Sequence, residues 1–206
     1  MSQFFQIHQD NPQARLVRQA VDIIRKGGIV VYPTDSGYAI GCHLGDKQSM
    51  DKIRVIRQLD KHHNFTLVCR DLSEITTYAQ TDNSHYRLLK AHTPGAYTFI
   101  LKATREVPKR LMHPKRKTIG IRIPNNAIAQ ALLEELGEPL LSSTLILPNE
   151  EMPMTDPYEI RQVLEHHLDL IIDGGFCGFD ATTVIDFEED VPVLVRKGLG
   201  DTSPFE

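Results

Sequence analysis

Lys26-Gly27-Gly28-Ile29-Val30-Val31-Tyr32-Pro33-Thr34-Asp35-Ser36-Gly37-Tyr38 decides how the rest of the chain is read. Ile29 to Tyr32 is an apolar, β-branched run of strand length closed by a proline, the pattern of a fully buried strand. Upstream, Leu16, Val17, Ala20, Val21 and Ile24 recur at helical spacing. Asn11 reads as the N-cap of that helix, Pro12 as its first position and Gly27 as its stop. Downstream come Thr34, Asp35, Ser36 and Gly37, all turn formers.

Working outward, helical spacing predicts helices near 46–58, 72–79, 83–91, 126–137 and 157–167. Asp71 with Glu74 three residues on resembles a capping box, and Asn126 precedes AIAQALLEEL, which ends at Gly137. Strands are predicted near 39–42, 65–69, 97–103, 118–123, 139–147, 168–172, 182–187 and 191–196. Helices interleaved with short apolar strands argue α/β (α+β): a single domain over 1–206 with one twisted sheet flanked by helices. No helix is predicted between 182 and 196, so part of the sheet is antiparallel and the whole is mixed.

The 206 residues are 41% hydrophobic and 24% charged, with 13 Gly and 12 Pro, which excludes collagen-like and disordered classes. No apolar run approaches the ~20 residues that span a bilayer. The segment MSQFFQIHQD has no basic region followed by a long apolar one, so neither a signal peptide nor a membrane partner is expected and the chain reads as cytoplasmic. Cys42, Cys69 and Cys177 are odd in number and widely spaced, and fit neither a disulfide framework nor a zinc site. His62-His63 and His166-His167 are adjacent pairs whose rings diverge. They read as exposed loop or helix-end residues, and no metal site is expected.

The net charge of −4 is unevenly distributed. Lys102 to Arg122 holds eight Lys/Arg against Glu106 alone, whereas Glu134 to Asp190 holds fifteen acids against Arg161 alone. The basic stretch is either an anion-binding face or a solvated loop.

Three places can carry chemistry. Thr34, Asp35 and Ser36 follow a buried strand, where α/β sheets place ligands, although the same residues also make an ordinary turn. Arg122 lies within TIGIRIP on the face opposite Ile121 and Ile123; a guanidinium there needs an internal acid or an anionic ligand. Thr182 and Thr183 open a strand and Arg196 ends another, which suits phosphate or carboxylate oxygens; threonine is also simply a good strand residue. No catalytic residue follows from these patterns.

KGGIVVYPTDSGYAIG, TPGAYTFIL, KTIGIRIP, PLLSSTLIL, ATTVIDF and VLVRKGLG, in this order, resemble the YrdC/YciO family over about residues 12–200. NFTLVCRDLSEIT and the residues around KRKTIGIR are most similar to its YciO branch. The resemblance implies a YrdC-type twisted sheet with a concave, positively charged surface. It also implies the chemistry of threonylcarbamoyl-adenylate synthases, which consume L-threonine, bicarbonate and ATP with Mg²⁺ on the way to a modified tRNA. By the same resemblance Thr34, Arg122 and Thr182 face a threonine-like carboxylate, and Arg57, Ser142, Thr144 and Arg196 face the nucleotide.

Two departures stand out. Where the synthases carry Lys-x-Arg this chain has Arg57-Gln58-Leu59, and where they carry Ser-x-Asn it has Thr144-Leu145-Ile146. Losing a cation and an amide predicts weakened or altered synthase chemistry. The alternative is a binding protein for tRNA or double-stranded RNA, gripping backbone phosphates through Lys109, Arg110, Lys115, Arg116 and Lys117. A third reading is an α/β domain whose basic stretch is only solvated. Oligomeric state has no signature in the chain.

Overall fold

The structure, a computed structural model, describes residues 1–205. In chain order its elements begin with β1 (Gln3–Gln6), α1 (Ala14–Arg25), β2 (Val30–Pro33), β3 (Tyr38–His43), α2 (Lys47–Arg57) and β4 (Thr66–Val68). They continue with α3 (Leu72–Tyr78), α4 (Asn83–His92), β5 (Tyr97–Lys102), β6 (Thr118–Arg122), α5 (Ala127–Leu136) and β7 (Leu140–Thr144). The last are α6 (Pro157–Leu164), β8 (Leu170–Asp173), β9 (Thr183–Asp186) and β10 (Val193–Arg196). All ten strands join one sheet in the order β1-β8-β2-β3-β7-β4-β6-β5-β9-β10. The pairs β1/β8, β2/β8, β4/β6 and β5/β9 are parallel and the other five antiparallel, which is the mixed sheet the sequence predicts.

Local chemistry sets most helix ends. Asp46, Asp71, Asp82, Asn126 and Asp156 each accept a backbone N–H of the first turn. The Glu74 carboxylate reaches back to the Arg70 N–H, one residue beyond the Asp71 N–H that a true capping box would bond. Gly137 closes α5 at φ +73° in the left-handed region.

At the N-terminus one prediction needs correction and one strand was not predicted. Helix α1 starts at Ala14 behind Gln13, not at Asn11-Pro12, because the His8 ring takes the N–H groups of Asp10 and Asn11 into a separate turn. Gln3–Gln6 forms edge strand β1, which QFFQ is too short to announce.

Alternation along the strands divides the sheet into two faces. On one face Val31, Ile40, Leu67, Phe99, Ile121, Leu141 and Ile171 pack under α2, α3, α4 and α6, which contribute Met50, Ile53, Ile75, Leu89, Ile160 and Leu164. On the other, Val30, Tyr32, Ala39, Val68, Leu140, Leu170 and Ile172 are covered by Val17, Val21, Ile24, Ile128, Leu132 and Leu133 of α1 and α5. Those two helices cover the β1-to-β7 half and reach Val68 of β4 beside it. From β6 to β10 that face contributes no residue to this second core. Among the described residues no helix is long and apolar enough to cross a membrane.

Candidate functional site

Beyond this second core the same sheet face forms a cavity of about 270 Å³. Its wall takes mostly alternate residues from successive strands: Thr66 and Val68 of β4, Thr98 and Ile100 of β5, Thr118, Gly120 and Arg122 of β6, and Ser142 and Thr144 of β7, with Ile119 and Ser143 reaching it from between them. Thr182 and Val184 belong to the same wall, as do Thr34, Ser36 and Gly37 of the β2–β3 turn, His63, Arg116 and Arg196. Period-two alternation thus places Thr98, Thr118, Arg122, Ser142 and Thr144 on the cavity side beside apolar Val68, Ile100 and Val184, while Phe99, Ile121 and Leu141 fill the opposite core.

Arg122 is the buried charge of this site, 7% exposed. Its Nη2 pairs with the Asp35 carboxylate and its Nη1 donates to Ser36 Oγ at 2.9 Å, while Nε is buried without a partner. The internal acid that the sequence left open as a partner for this guanidinium is therefore Asp35. The other Asp35 oxygen accepts the Asn125 N–H at 2.9 Å. Burial pushes the Arg122 pKa down, and Asp35 opposes that shift.

The turn itself is a hairpin: Thr34 donates its N–H at 3.0 Å and its hydroxyl at 2.5 Å to the Gly37 carbonyl. Gly37 has φ +138°, and a Cβ there would meet the Gly178 carbonyl at 3.0 Å. Thr34 is at once a turn former and part of the cavity wall.

Across the cavity Thr182 Oγ1 lies 2.9 Å from Thr98 Oγ1. Arg196 donates through Nη2 to the Thr182 carbonyl at 3.0 Å and to its hydroxyl at 3.2 Å. Arg196 has no carboxylate in ion-pair contact among the described residues. Thr183 points away from the cavity, its hydroxyl donating to the Gly200 carbonyl at 2.7 Å.

A third corner gathers Arg57, Ser142, Ser143, Thr144 and His63. Arg57 does not line the cavity; it stands behind Ser143, donating to the Ile146 carbonyl at 2.9 Å and to Ser143 Oγ at 2.5 Å. Ser142 lies 2.5 Å from the fully buried Tyr32 hydroxyl, whose pKa burial pushes up to about 12. Thr144 is exposed on the wall. Leu59 packs against the core, and Ile146 presents only its carbonyl to Arg57.

His63 was expected on an exposed loop or helix end; instead it is half-buried on the cavity wall with Nε2 3.0 Å from Ser143 Oγ. Its pKa is lowered by burial, then by Arg57 and Arg54. The sequence could not separate it from exposed His62, because only the packing of its ring edge-on to Phe65 turns it inward.

The basic stretch does not present five free cations. Arg116 pairs with Asp186 and Glu188. Arg110 donates to the Leu44 carbonyl at 2.9 Å, and Lys117 donates to the Pro114 carbonyl at 2.6 Å. Lys109 and Lys115 are exposed.

The family model named for Sua5, YciO and YrdC, and described as telomere recombination, matches residues 22–198. The chain is 62% identical over 205 residues to the YciO protein of Escherichia coli strain K12, covering all of both chains. The crystal structure of E. coli YciO superposes with a TM-score of 0.96 over the full length of each. A threonylcarbamoyl-AMP synthase of Bacillus subtilis is 25% identical over 94% of this chain and 55% of its own length. The structure of P. abyssi Sua5 complexed with L-threonine shares the fold, with a TM-score of 0.87 at 23% identity, over 96% of this chain and 58% of that one. By the family model, the full-length identity and the matching fold together, the chain belongs to the Sua5/YciO/YrdC family.

Proposed function

We propose that the cavity binds a small carboxylate together with a nucleotide, in an adenylate-forming reaction of the threonylcarbamoyl-AMP synthase kind that is weak or retuned in this chain. The observation that carries this reading is Arg122, a buried guanidinium on the cavity wall flanked by Thr34, Ser36 and, farther along, Thr182. Because Asp35 already balances its charge, Arg122 acts on a ligand carboxylate through directed N–H donation together with the neighbouring hydroxyls. Arg196, without an acidic partner, suits phosphate oxygens. Relatives described as threonylcarbamoyl-AMP synthases and a fold relative complexed with L-threonine support the substrate class.

The wall residues do not fit a protein-held metal. They include no carboxylate, and no cluster of three metal-binding side chains occurs among the described residues. Mg²⁺ therefore belongs to the ATP, carried on its phosphates as part of the substrate.

Leu59 packed against the core and Ile146 offering only a carbonyl leave two polar functions of the synthase pattern unfilled, which is why turnover is expected to be low. Isothermal titration of ATP with Mg²⁺, then L-threonine and bicarbonate, tests the reading, alongside release of pyrophosphate. Wild type should bind and Arg122→Ala should not. Absence of heat from every ligand overturns the proposal.

The second reading, RNA held by the basic stretch, draws on exposed Lys109 and Lys115. Neutralisation of Arg116 by two acids makes it the weaker of the two.

A further inference from the structure

We propose that His63 is a direct ligand of a phosphoryl-type anion in this cavity and binds it as imidazolium, so that anion binding takes up a proton. The proposal rests on the cavity reading above and adds a residue and a linkage to it.

Hydrogen-bond accounting at Ser143 leads there. Arg57 can only donate, so its 2.5 Å contact uses a lone pair of Ser143 Oγ. The single Ser143 proton is then free to point at His63 Nε2, 3.0 Å away, and we assign His63 as the neutral acceptor of that bond in the free protein. The surroundings enforce that neutrality. Arg54 and Arg57 of α2 face the ring, Ser143 of β7 bonds it, and Phe65 packs edge-on. Farther along the cavity wall stand His113 and Arg116, the latter already paired with acids. No carboxylate is in ion-pair contact with His63 among the described residues.

Arg54 is paired with Asp51, but neither Arg57 nor His63 has a carboxylate in ion-pair contact among the described residues, and of the three only His63 lines the cavity, because Arg57 is turned to the Ile146 carbonyl behind Ser143. A dianion entering here offsets the field of Arg57 and Arg54 and makes the charged imidazole favourable. One proton then comes from solvent to Nε2, Ser143 Oγ accepts from both His63 and Arg57, and the ring's other N–H, on Nδ1, donates to the anion beside the Ser143 hydroxyl, which turns its own proton to it. Proton balance is complete with no group transferred.

Inorganic sulfate is the probe, since it stays dianionic throughout the range in which histidine titrates. The His63 ring resonance of the full-length protein is followed by NMR through a pH titration with and without sulfate, and sulfate affinity is measured at about pH 6 and about pH 8. Sulfate should raise the His63 titration midpoint and bind roughly three- to tenfold tighter at the lower pH. That pH dependence should vanish in His63→Gln, whose amide can still bond Ser143. The ring titration uses wild-type protein, so a poorly folded variant leaves the test intact.

Binding with the same affinity at both pH values, or the same pH dependence in the variant, overturns the role of His63 and leaves the cavity reading standing. Failure of sulfate to bind while ATP with Mg²⁺ binds does the same. Failure of both overturns the two together.

Discussion

Arg122 and Asp35 form a buried ion pair between the end of β6 and the β2–β3 turn, with their side chains 9% and 13% exposed. Ser36 and the Asn125 N–H complete the network, so one carboxylate fixes both the turn and the guanidinium that faces the cavity. Removing it strands a buried charge. Asp35→Ala should lose about 3 kcal/mol of stability in urea unfolding, because a broken buried pair leaves its partner uncompensated. A loss within about 0.5 kcal/mol would show that solvent or rearrangement satisfies Arg122 without Asp35.

His63 makes stability depend on pH. Its folded pKa lies below the usual value near ~6.5, so the unfolded chain binds the proton more readily. The contribution is fully present above ~6.5 and is lost as pH falls from there through the folded value. Urea midpoints measured down this window should decline in wild type, and His63→Gln should flatten that part of the curve. An unchanged slope would assign the acid sensitivity elsewhere.

The ends of α5 provide two independent local tests. Asn126 Oδ1 accepts the N–H groups of Ile128 and Ala129, both at 3.0 Å, and Asn126→Ala should cost about 1 kcal/mol. At Gly137 nothing lies within 4 Å of an added Cβ, so Gly137→Ala meets only the penalty of φ +73°, again about 1 kcal/mol. The double variant should show the sum, since the sites share no partner. Thermal melts of the four proteins check this, and a large coupling would mean that α5 frays as one unit.

Phe99 tests the core under the cavity. It is fully buried, stacked on Tyr97 with ring centroids 5.7 Å apart and edge-on to Phe187 at 5.5 Å. Phe99→Ala should cost about 3–5 kcal/mol in denaturant unfolding. A smaller loss would require the aromatic cluster to collapse into the space.

The features legible in the sequence are those with local causes. The Asn126 cap and Gly137 stop bound α5 because the bonds they make are to their own helix. Likewise Ile29 to Tyr32 is a buried strand because its composition allows little else. The start of α1 was misplaced for a reason outside its own turn: His8 takes the N–H groups that the Asn11-Pro12 reading assigns to a helix end. Strand β1 has only four residues, and its strand character comes from pairing with β8, more than 160 residues away.

The cavity divides in the same way. Arg122 could be recognised as a cation on a strand face from the alternation of TIGIRIP, which is a local period. Its partner could not, because Asp35 is 87 residues distant and meets it only when β3, β7 and β4 intervene in the sheet. His63 and His62 are indistinguishable neighbours in the chain; packing on Phe65 and the approach of Ser143 from β7 turn one of them into the cavity.

The sequence by itself determined the mixed α/β class, the Asp71 and Asn126 caps, the alternation that sets Arg122 opposite Ile121 and Ile123, and the family. Those depend on backbone periodicity and on blocks of residues in order. Tertiary structure alone decided that the core under α1 and α5 takes no residue from β6 to β10, which acid neutralises Arg122, and which histidine joins Arg57 and Ser143. Those depend on contacts between segments far apart in the chain, where burial makes each unpaired charge costly enough to select its partner.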